Sequence, residues 1–326
     1  MPQLHHVLVT AQLKPENRRQ LEAALYPAQI TWAHPEDAGA IDSCIQQVDG
    51  AILAADADER ILSGQKLRWI HCCHAGLDKS ARQEVFDRGI ILTGSAGRSA
   101  PALAEHVLAF LLSLAYDMPE ILNAQRAHRW CSRELSQRSA VFGKTMGIIG
   151  LGNTGRAVAK LAKGFSMEVL GWRRKNEAVS NVDRVYSADA GDDLGEMVAQ
   201  CDFLVLCAGL NNGTRHLMDE KMLRRMKKTA YLINIGRGQL VDEAALIRAL
   251  EEGTLAGAAL DNFEVEPLPK DSPLWELPNV ILTPHTTPSL PDREERALEY
   301  VLQNIAAYRR GSGFVNRLTE ADIYTP

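Results

Sequence analysis

Four polar residues in the last third of the chain lie in segments where apolar runs typical of buried strands end: Arg237, Asp261, Glu266 and His285. Arg237 stands between two glycines, and His285 follows a Thr-Pro pair. A guanidinium binds anions and an imidazole exchanges protons near neutral pH. Strand ends in an open parallel sheet share one edge, where ligands bind, so we expect these side chains to meet there.

A glycine-rich stretch predicts a second feature at the same edge. It lies between the strand-like run Met146–Ile149 and the helix-like run Arg156–Ala162, and its residues are Gly150, Leu151, Gly152, Asn153, Thr154 and Gly155. In a strand–turn–helix context, this G-x-G-x-x-G pattern is typical of a dinucleotide site. The glycines allow a tight turn and close approach of a pyrophosphate, and the helix N-terminus supplies free N–H groups.

The strand Glu168–Trp172 ends without the carboxylate that usually binds the ribose hydroxyls of NAD. Arg173 and Arg174 follow instead, and an arginine fork binds a 2′-phosphate where an acid would repel it. The sequence therefore favours NADP(H), with NAD(H) as the alternative. The two arginines are otherwise ordinary surface cations after a strand.

Strands alternate with helices on both sides of this loop, which predicts two α/β domains with parallel sheets. Residues 1–97 read as a smaller, flavodoxin-like domain with strands at Val7–Thr10, Gly50–Ala54, Trp69–Cys73 and Ile90–Thr93. Residues 98–287 read as a Rossmann domain of six or seven strands. We expect the helix Asp292–Tyr308 to return to the first domain, so that 288–326 belongs with 1–97.

Composition narrows the class of protein. The 326 residues carry a net charge of −5 and 46% apolar residues, which argues against nucleic acid as a partner. The longest apolar run, Val107–Ala115, is far shorter than the roughly 20 residues that span a bilayer, and the N-terminus lacks secretory features. The six cysteines show no zinc-type spacing. We therefore expect reduced thiols, no metal and a cytoplasmic location.

Four ordered motifs together resemble the D-isomer-specific 2-hydroxyacid dehydrogenases: Gly150–Gly155, Asn234–Asp242, Asp261–Pro267 and Pro278–His285. This family includes glyoxylate/hydroxypyruvate reductases, D-lactate dehydrogenases and phosphoglycerate dehydrogenases. Weaker likeness extends to Ala75–Asp78 and Leu103–His106. The resemblance implies hydride transfer between NAD(P)H and a small 2-keto acid.

The resemblance also implies roles for single residues. Arg237 would hold the 2-keto acid and polarise its carbonyl, and His285 would protonate that oxygen as the hydride arrives at C2. Glu266 would bond to the far imidazole nitrogen, fixing the ring and favouring its protonated form.

Binding roles follow in the same way. Backbone N–H groups of Ala75 and Gly76 would hold the substrate carboxylate, and Asp261 would bind the nicotinamide carboxamide. The remaining cofactor contacts would come from Ile235, Gly236 and His285.

Two other functions stay open from the sequence. Some relatives of this fold act as transcriptional corepressors, although the chain lacks basic patches or long tails. Formate dehydrogenase is a second alternative, but it needs no proton donor such as His285.

The polar stretch Asn123–Phe142, with Trp130 and Arg133, resembles the family's dimer arm and predicts a homodimer. The sequence does not identify which 2-keto acid is used or the physiological direction.

Overall fold

The computed structural model describes residues 3–130, 139–286 and 290–325. The chain divides into two compact units. The first consists of Met1–Ser99 with Ser289–Pro326, and the second is Ala100–Pro288.

The first unit contains five parallel strands in the order β2-β1-β3-β4-β5. They are β1 (His6–Val9), β2 (Gln29–Trp32), β3 (Gly50–Leu53), β4 (Trp69–Cys72) and β5 (Ile91–Gly94). The helices of its first segment are α1 (Pro15–Leu25), α2 (Ala38–Cys44), α3 (Glu59–Leu62) and α4 (Gln83–Asp87). This strand order is the flavodoxin-like one, which confirms the predicted fold class.

Sequence reasoning missed β2. This strand lies at the edge of the sheet, and all four of its residues are partly or fully exposed. An edge strand of this length lacks the continuous apolar run that marked β1, β3 and β4, whose residues are all buried.

The second unit contains seven parallel strands in the order β12-β11-β10-β9-β6-β7-β8. They are β6 (Thr145–Ile149), β7 (Glu168–Arg173), β8 (Arg184–Ser187), β9 (Phe203–Leu206), β10 (Tyr231–Asn234), β11 (Gly257–Leu260) and β12 (Val280–Leu282). The order turns at β6–β9, as in a Rossmann sheet, which confirms that prediction.

Among the described residues of the second unit, six helices surround this sheet or extend from it: α5 (Ala100–Ala115), α6 (Met118–Arg126), α7 (Asn153–Gly164), α8 (Leu194–Val198), α9 (Glu220–Leu223) and α10 (Glu243–Glu251). Helix α6 covers the start of the predicted arm, and Trp130 beyond it is 93% exposed. Arg133 lies outside the described residues. Short 3₁₀ turns occur at Gly238–Leu240 and Pro273–Trp275, and a third, Glu320–Asp322, belongs to the first unit.

Helix α5 is apolar because it is a core helix. Val107, Leu111 and Phe110 are buried in a cluster that also contains residues of β6, α7 and β9. In the described part of the chain, no single helix is both long and apolar enough to cross a membrane. The pair α5 and α6, bent by 65°, reaches that length and composition only when both are counted together.

The last helix, α11 (Arg293–Arg310), completes the core of the first unit. Its buried Leu298, Val301 and Ile305 join a cluster with residues of β1 and β4. Buried Asn304 accepts from Val315 N at 2.8 Å and donates to Val315 O at 3.0 Å, which fixes the segment after the helix. Gly311, at φ 76°, ends the helix in a left-handed conformation.

A buried histidine lies beneath this helix. The side chain of His71 is fully buried, and its ring nitrogens lie 2.9 Å from Thr93 Oγ1 and 3.0 Å from Ser95 Oγ. Burial lowers the pKa of His71 to about 3. The ring is therefore neutral and structural at ordinary pH.

Candidate active site

The glycine loop joins β6 to α7 with the geometry that a pyrophosphate requires. Gly150 has φ 96°, and a Cβ on Gly155 would lie 2.0 Å from the Gly150 carbonyl oxygen. Gly152 is the N-cap of α7 and a Cβ there would meet open space, with no side chain capping the helix. The loop therefore forms a cradle with free space in front of the helix N-terminus, which fits the phosphates of a dinucleotide.

The glycines on both sides of Arg237 have a packing cause. A Cβ on Gly238 would lie 1.9 Å from the Phe263 carbonyl carbon, and one on Gly236 would lie 2.9 Å from the Ala208 carbonyl oxygen. Asn234, buried at the end of β10, accepts from Gly236 N at 3.0 Å and donates to Arg237 O at 2.9 Å. The half-buried Arg237 is thus held on a rigid turn.

Glu266 and His285 form a direct pair. The Nδ1 atom of His285 lies 2.7 Å from Glu266 Oε2, and the second carboxylate oxygen accepts from Phe263 N at 3.1 Å. Both side chains are partly exposed, 46% for His285 and 36% for Glu266. With Nδ1 bonded to the carboxylate, Nε2 is the ring nitrogen left for a substrate.

His285 also has an unusual backbone conformation. Its φ is 51°, in the left-handed region, and its N–H donates to Thr283 O at 3.0 Å. Non-glycine residues seldom adopt this conformation, and they do so most often at functional sites, where surrounding contacts hold the strain.

Asp261 connects to the same segment. Its Oδ1 accepts from Thr283 Oγ1 at 2.5 Å and from Thr286 N at 3.0 Å. The side chain is buried, and Thr283 Oγ1 also lies 3.3 Å from His106 Nε2. These contacts tie the end of β11 to the His285 segment and leave Oδ2 as the second carboxylate oxygen.

A neighbouring network, which sequence reasoning missed, holds the Glu266 loop from its other side. Glu264 Oε1 lies 2.7 Å from His216 Nε2, and Glu264 N donates to Glu243 Oε2 at 3.1 Å. Gln239 Nε2 donates to the Glu264 carbonyl at 2.9 Å. Burial, together with the nearby Glu264 carboxylate, raises the pKa of Glu243. His216 is far from the motif in sequence, so nothing there indicated this role.

The two arginines after β7 differ in their surroundings. Arg173 is mostly buried, and its Nη2 lies 3.1 Å from Glu177 Oε2. Arg174 is exposed. The sequence predicted both arginines as phosphate ligands. In the structure, Arg173 already has a carboxylate partner.

Ala75 and Gly76 belong to the first unit, in the loop after β4. Gly76 has φ 74°, and His74 Nδ1 lies 3.1 Å from the Ala75 carbonyl oxygen. Behind the loop, the buried Leu77 carbonyl accepts from Ser80 N and Ala81 N. The loop is therefore an anchored turn with Ala75 exposed.

The sequence pattern of the D-isomer specific 2-hydroxyacid dehydrogenase NAD binding domain matches residues 108–287. This match covers the glycine loop, the Arg237 turn and the Glu266–His285 pair. The chain belongs to the D-isomer-specific 2-hydroxyacid dehydrogenase family. Members of this family are NAD(P)-dependent oxidoreductases, and so is this protein.

Individual relatives agree with this assignment. The glyoxylate reductase of Pyrococcus horikoshii is 37% identical over 82% of this chain and 81% of its own length. A solved 2-hydroxyacid dehydrogenase from Xanthobacter autotrophicus Py2, in complex with NADPH and MES, has a TM-score of 0.81 with 29% identity, covering 98% of both chains. A Sinorhizobium meliloti NADPH-dependent glyoxylate/hydroxypyruvate reductase, in complex with NADP and sulfate, has a TM-score of 0.78 with 26% identity, covering 98% of this chain and 99% of its own.

Proposed function

We propose that the protein reduces small 2-keto acids of the glyoxylate and hydroxypyruvate type to 2-hydroxy acids, of D configuration where C2 becomes chiral, with NADPH preferred over NADH. The observation that carries this proposal is the Glu266–His285 pair at 2.7 Å, in the same compact unit as Arg237. The Pyrococcus and Sinorhizobium relatives, named for glyoxylate and hydroxypyruvate reduction, support the substrate class.

The bound nicotinamide supplies the hydride that reduces C2. Arg237 donates to the substrate's carboxylate and carbonyl oxygens, so that the charge developing on the carbonyl oxygen is stabilised. His285 Nε2 delivers a proton to that oxygen, and Glu266 keeps the ring oriented through Nδ1. In the oxidation direction, the same nitrogen takes the proton back.

Other residues hold the two ligands. The Gly150–Gly155 cradle and the start of α7 bind the pyrophosphate, and Ile235 and Gly236 lie after β10 beside the same sheet edge. Asp261 Oδ2 accepts from the carboxamide, and the Ala75–Gly76 turn binds the substrate carboxylate through backbone N–H groups.

The preference for NADPH rests on the residues after β7. Arg174 is exposed and able to meet a 2′-phosphate, whereas Arg173 must share its charge with Glu177. The Xanthobacter and Sinorhizobium structures contain NADPH and NADP, which supports the same preference. The variant Arg174→Ala should raise KM for NADPH about tenfold and leave NADH unchanged.

The deciding experiment is a kinetic panel. Glyoxylate, hydroxypyruvate and pyruvate are each assayed with NADPH and with NADH, and kcat/KM is compared. Substrate-dependent NADPH oxidation supports the reductase and argues against a purely regulatory protein. Formate oxidation without 2-keto acid reduction would contradict the proposed reaction. A higher kcat/KM with NADH than with NADPH would contradict the proposed cofactor preference.

We also propose that the protein is a homodimer. Trp130 and Phe142, which flank the undescribed part of the arm, are 93% and 75% exposed. Large apolar side chains this exposed are typical of surfaces that a partner covers. Light scattering should give twice the chain mass of 35.9 kDa, and a monomer at micromolar concentration would contradict the dimer.

A further inference from the structure

A cleft of about 440 Å³ lies within the first unit. Its walls come from the residues that follow β1, β3 and β4, such as Gln12, Ala54 and Cys73, and from the first three turns of α11. Ligands in parallel α/β sheets bind at this carboxyl end of the strands, and the volume suits a small molecule.

Much of the wall is apolar. Leu13, Ile52 and Leu298 contribute side chains, and Val301 lies deeper along α11. Such a surface favours a ligand with methylene groups. The described walls also contain charged side chains, and the sign of their net charge indicates which charged group the ligand carries.

Two arginines line the cleft, Arg98 and Arg293. Arg98 is half-buried and its Nη1 donates to the Cys73 carbonyl oxygen. Burial, followed by the neighbouring charge of Arg293, lowers the pKa of Arg98 to about 10. Neither guanidinium forms an ion pair with any residue that the structure describes.

Arg293 also occupies an unfavourable position in its helix. It is the first residue of the 18-residue α11, where the helix dipole is already positive. A cation there gains nothing from its own helix. Glu294 and Glu295 in the same first turn offset the positive helix end, so the positive charge at the cleft comes from the side chains of Arg98 and Arg293.

The acidic groups nearby have other hydrogen-bond partners, although Glu294 also lines the cleft and keeps its negative charge, because its partners are uncharged N–H groups. Glu294 Oε1 accepts from Lys14 N at 2.6 Å and from Asn17 Nδ2 at 2.7 Å. Glu295 pairs with Lys14 Nζ at 2.7 Å, and Asp292 pairs with Arg296 at 2.8 Å. The two arginines therefore lack a carboxylate of their own in the described chain.

We propose that this cleft binds a second acid group, carboxylate or phosphate, at the far end of the 2-keto acid, and that Arg98 and Arg293 recognise it. The proposal rests on the proposed function, because the Ala75–Gly76 turn that would hold the substrate carboxylate begins two residues after Cys73 of the cleft wall. The apolar walls accommodate the methylene groups between the two acid groups. The preferred substrates are then 2-keto acids with two acid groups.

Matched substrate pairs test this selectivity. 2-Oxoglutarate and 2-oxovalerate share a five-carbon chain and differ in the terminal group, and 3-phosphohydroxypyruvate and hydroxypyruvate differ in a phosphate. The acid member of at least one pair should have a kcat/KM about tenfold or more above its partner. The pair that responds identifies carboxylate or phosphate as the second group.

Variants connect the selectivity to the cleft. Arg293→Gln, at an exposed position, should remove most of the advantage of the acid substrate and leave the neutral one within about twofold. Arg98→Gln should do the same, with Arg98→Lys intermediate. Arg296 lies one turn along α11 and pairs with Asp292, so Arg296→Gln is the matched control and should leave kcat/KM unchanged for both substrates.

Calorimetry on the cofactor-free protein gives an independent readout. Glutarate should bind more tightly than valerate, and Arg293→Gln should abolish the difference. Equal kcat/KM within both substrate pairs, or equal binding of the two probes, overturns the cleft proposal while 2-keto acid reduction stands. If no 2-keto acid is reduced but glutarate still binds through Arg293, the proposed reaction fails and the anion site remains.

Discussion

Replacing Glu266 by glutamine tests the proposed catalytic pair most sharply, because the change keeps the side chain's shape. The two oxygens of Glu266 accept from two donors, His285 Nδ1 at 2.7 Å and Phe263 N at 3.1 Å. A glutamine has one acceptor oxygen and one NH₂ group. For the protonated ring that acts as the acid, one donor then faces another donor whichever way the amide turns, and His285 loses its anion.

The size of the effect follows from these contacts. A hydrogen bond to a charged group contributes about 1.5–3 kcal/mol, and the partial exposure of both side chains favours the lower end. The displaced donor adds about 1 kcal/mol if it stays unsatisfied. A total of about 2.5 kcal/mol corresponds to a loss of nearly 10²-fold in kcat, at the lower end of the range for general acid catalysis.

The assay is steady-state reduction of glyoxylate with NADPH, with thermal unfolding measured in parallel. We expect Glu266→Gln to lower kcat about 10²-fold with little change in KM and a modestly lower Tm, because the displaced donor is unsatisfied in the folded enzyme as well. Glu276→Gln makes the same charge change at an exposed site after the 3₁₀ turn Pro273–Trp275 and should keep wild-type activity. A Glu266→Gln enzyme with kcat within threefold of wild type would refute the pairing as the basis of catalysis.

Three further outcomes are expected. Gly155→Ala should weaken NADPH binding and lower the free energy of unfolding by about 1–3 kcal/mol, seen as a lower Tm, because the new Cβ has no room. Gly164→Ala, at the open end of α7, is the control and should leave the stability unchanged or raise it. Burial holds the pKa of His71 at about 3 against 6.5 when exposed, so only the unfolded chain gains this proton as pH falls. Folding stability should therefore drop between pH 6.5 and 3, and urea titrations of His71→Gln should show a flatter profile there. Glu177→Gln should lower KM for NADPH up to about fivefold by releasing Arg173, and an unchanged KM would show that the ion pair does not compete with phosphate.

The sequence predicted the parts of the site that lie at strand ends. A polar residue after an apolar run can be recognised without coordinates, and this pattern predicted Arg237, Asp261 and His285 as site residues. The parallel sheet then brings such positions to one edge, and the strand order of the second unit shows that it does. The fold class followed from the same alternation of strands and helices.

The sequence does not show towards which partner a side chain in a loop points. Glu264 and Glu266 are two residues apart with the same side chain, yet one lies 2.7 Å from His216 and the other 2.7 Å from His285. The turn of the backbone between them decides this, and Phe263, just before that turn, packs against Gly238 from a distant segment. The partner of Arg173 is hidden for a similar reason, because Glu177 reaches it only when the chain folds back.

The split of the first unit into two chain segments sets an order for folding during synthesis. Residues 100–288 are continuous and can complete their core while the ribosome is still making the rest. The first 99 residues leave it much earlier but cannot finish, because Leu298, Val301 and Ile305 fill the core beside β1 and β4. The segment made first is therefore the last to become native, and a chain released after residue 290 would combine a folded cofactor unit with an exposed apolar sheet that a chaperone must shield.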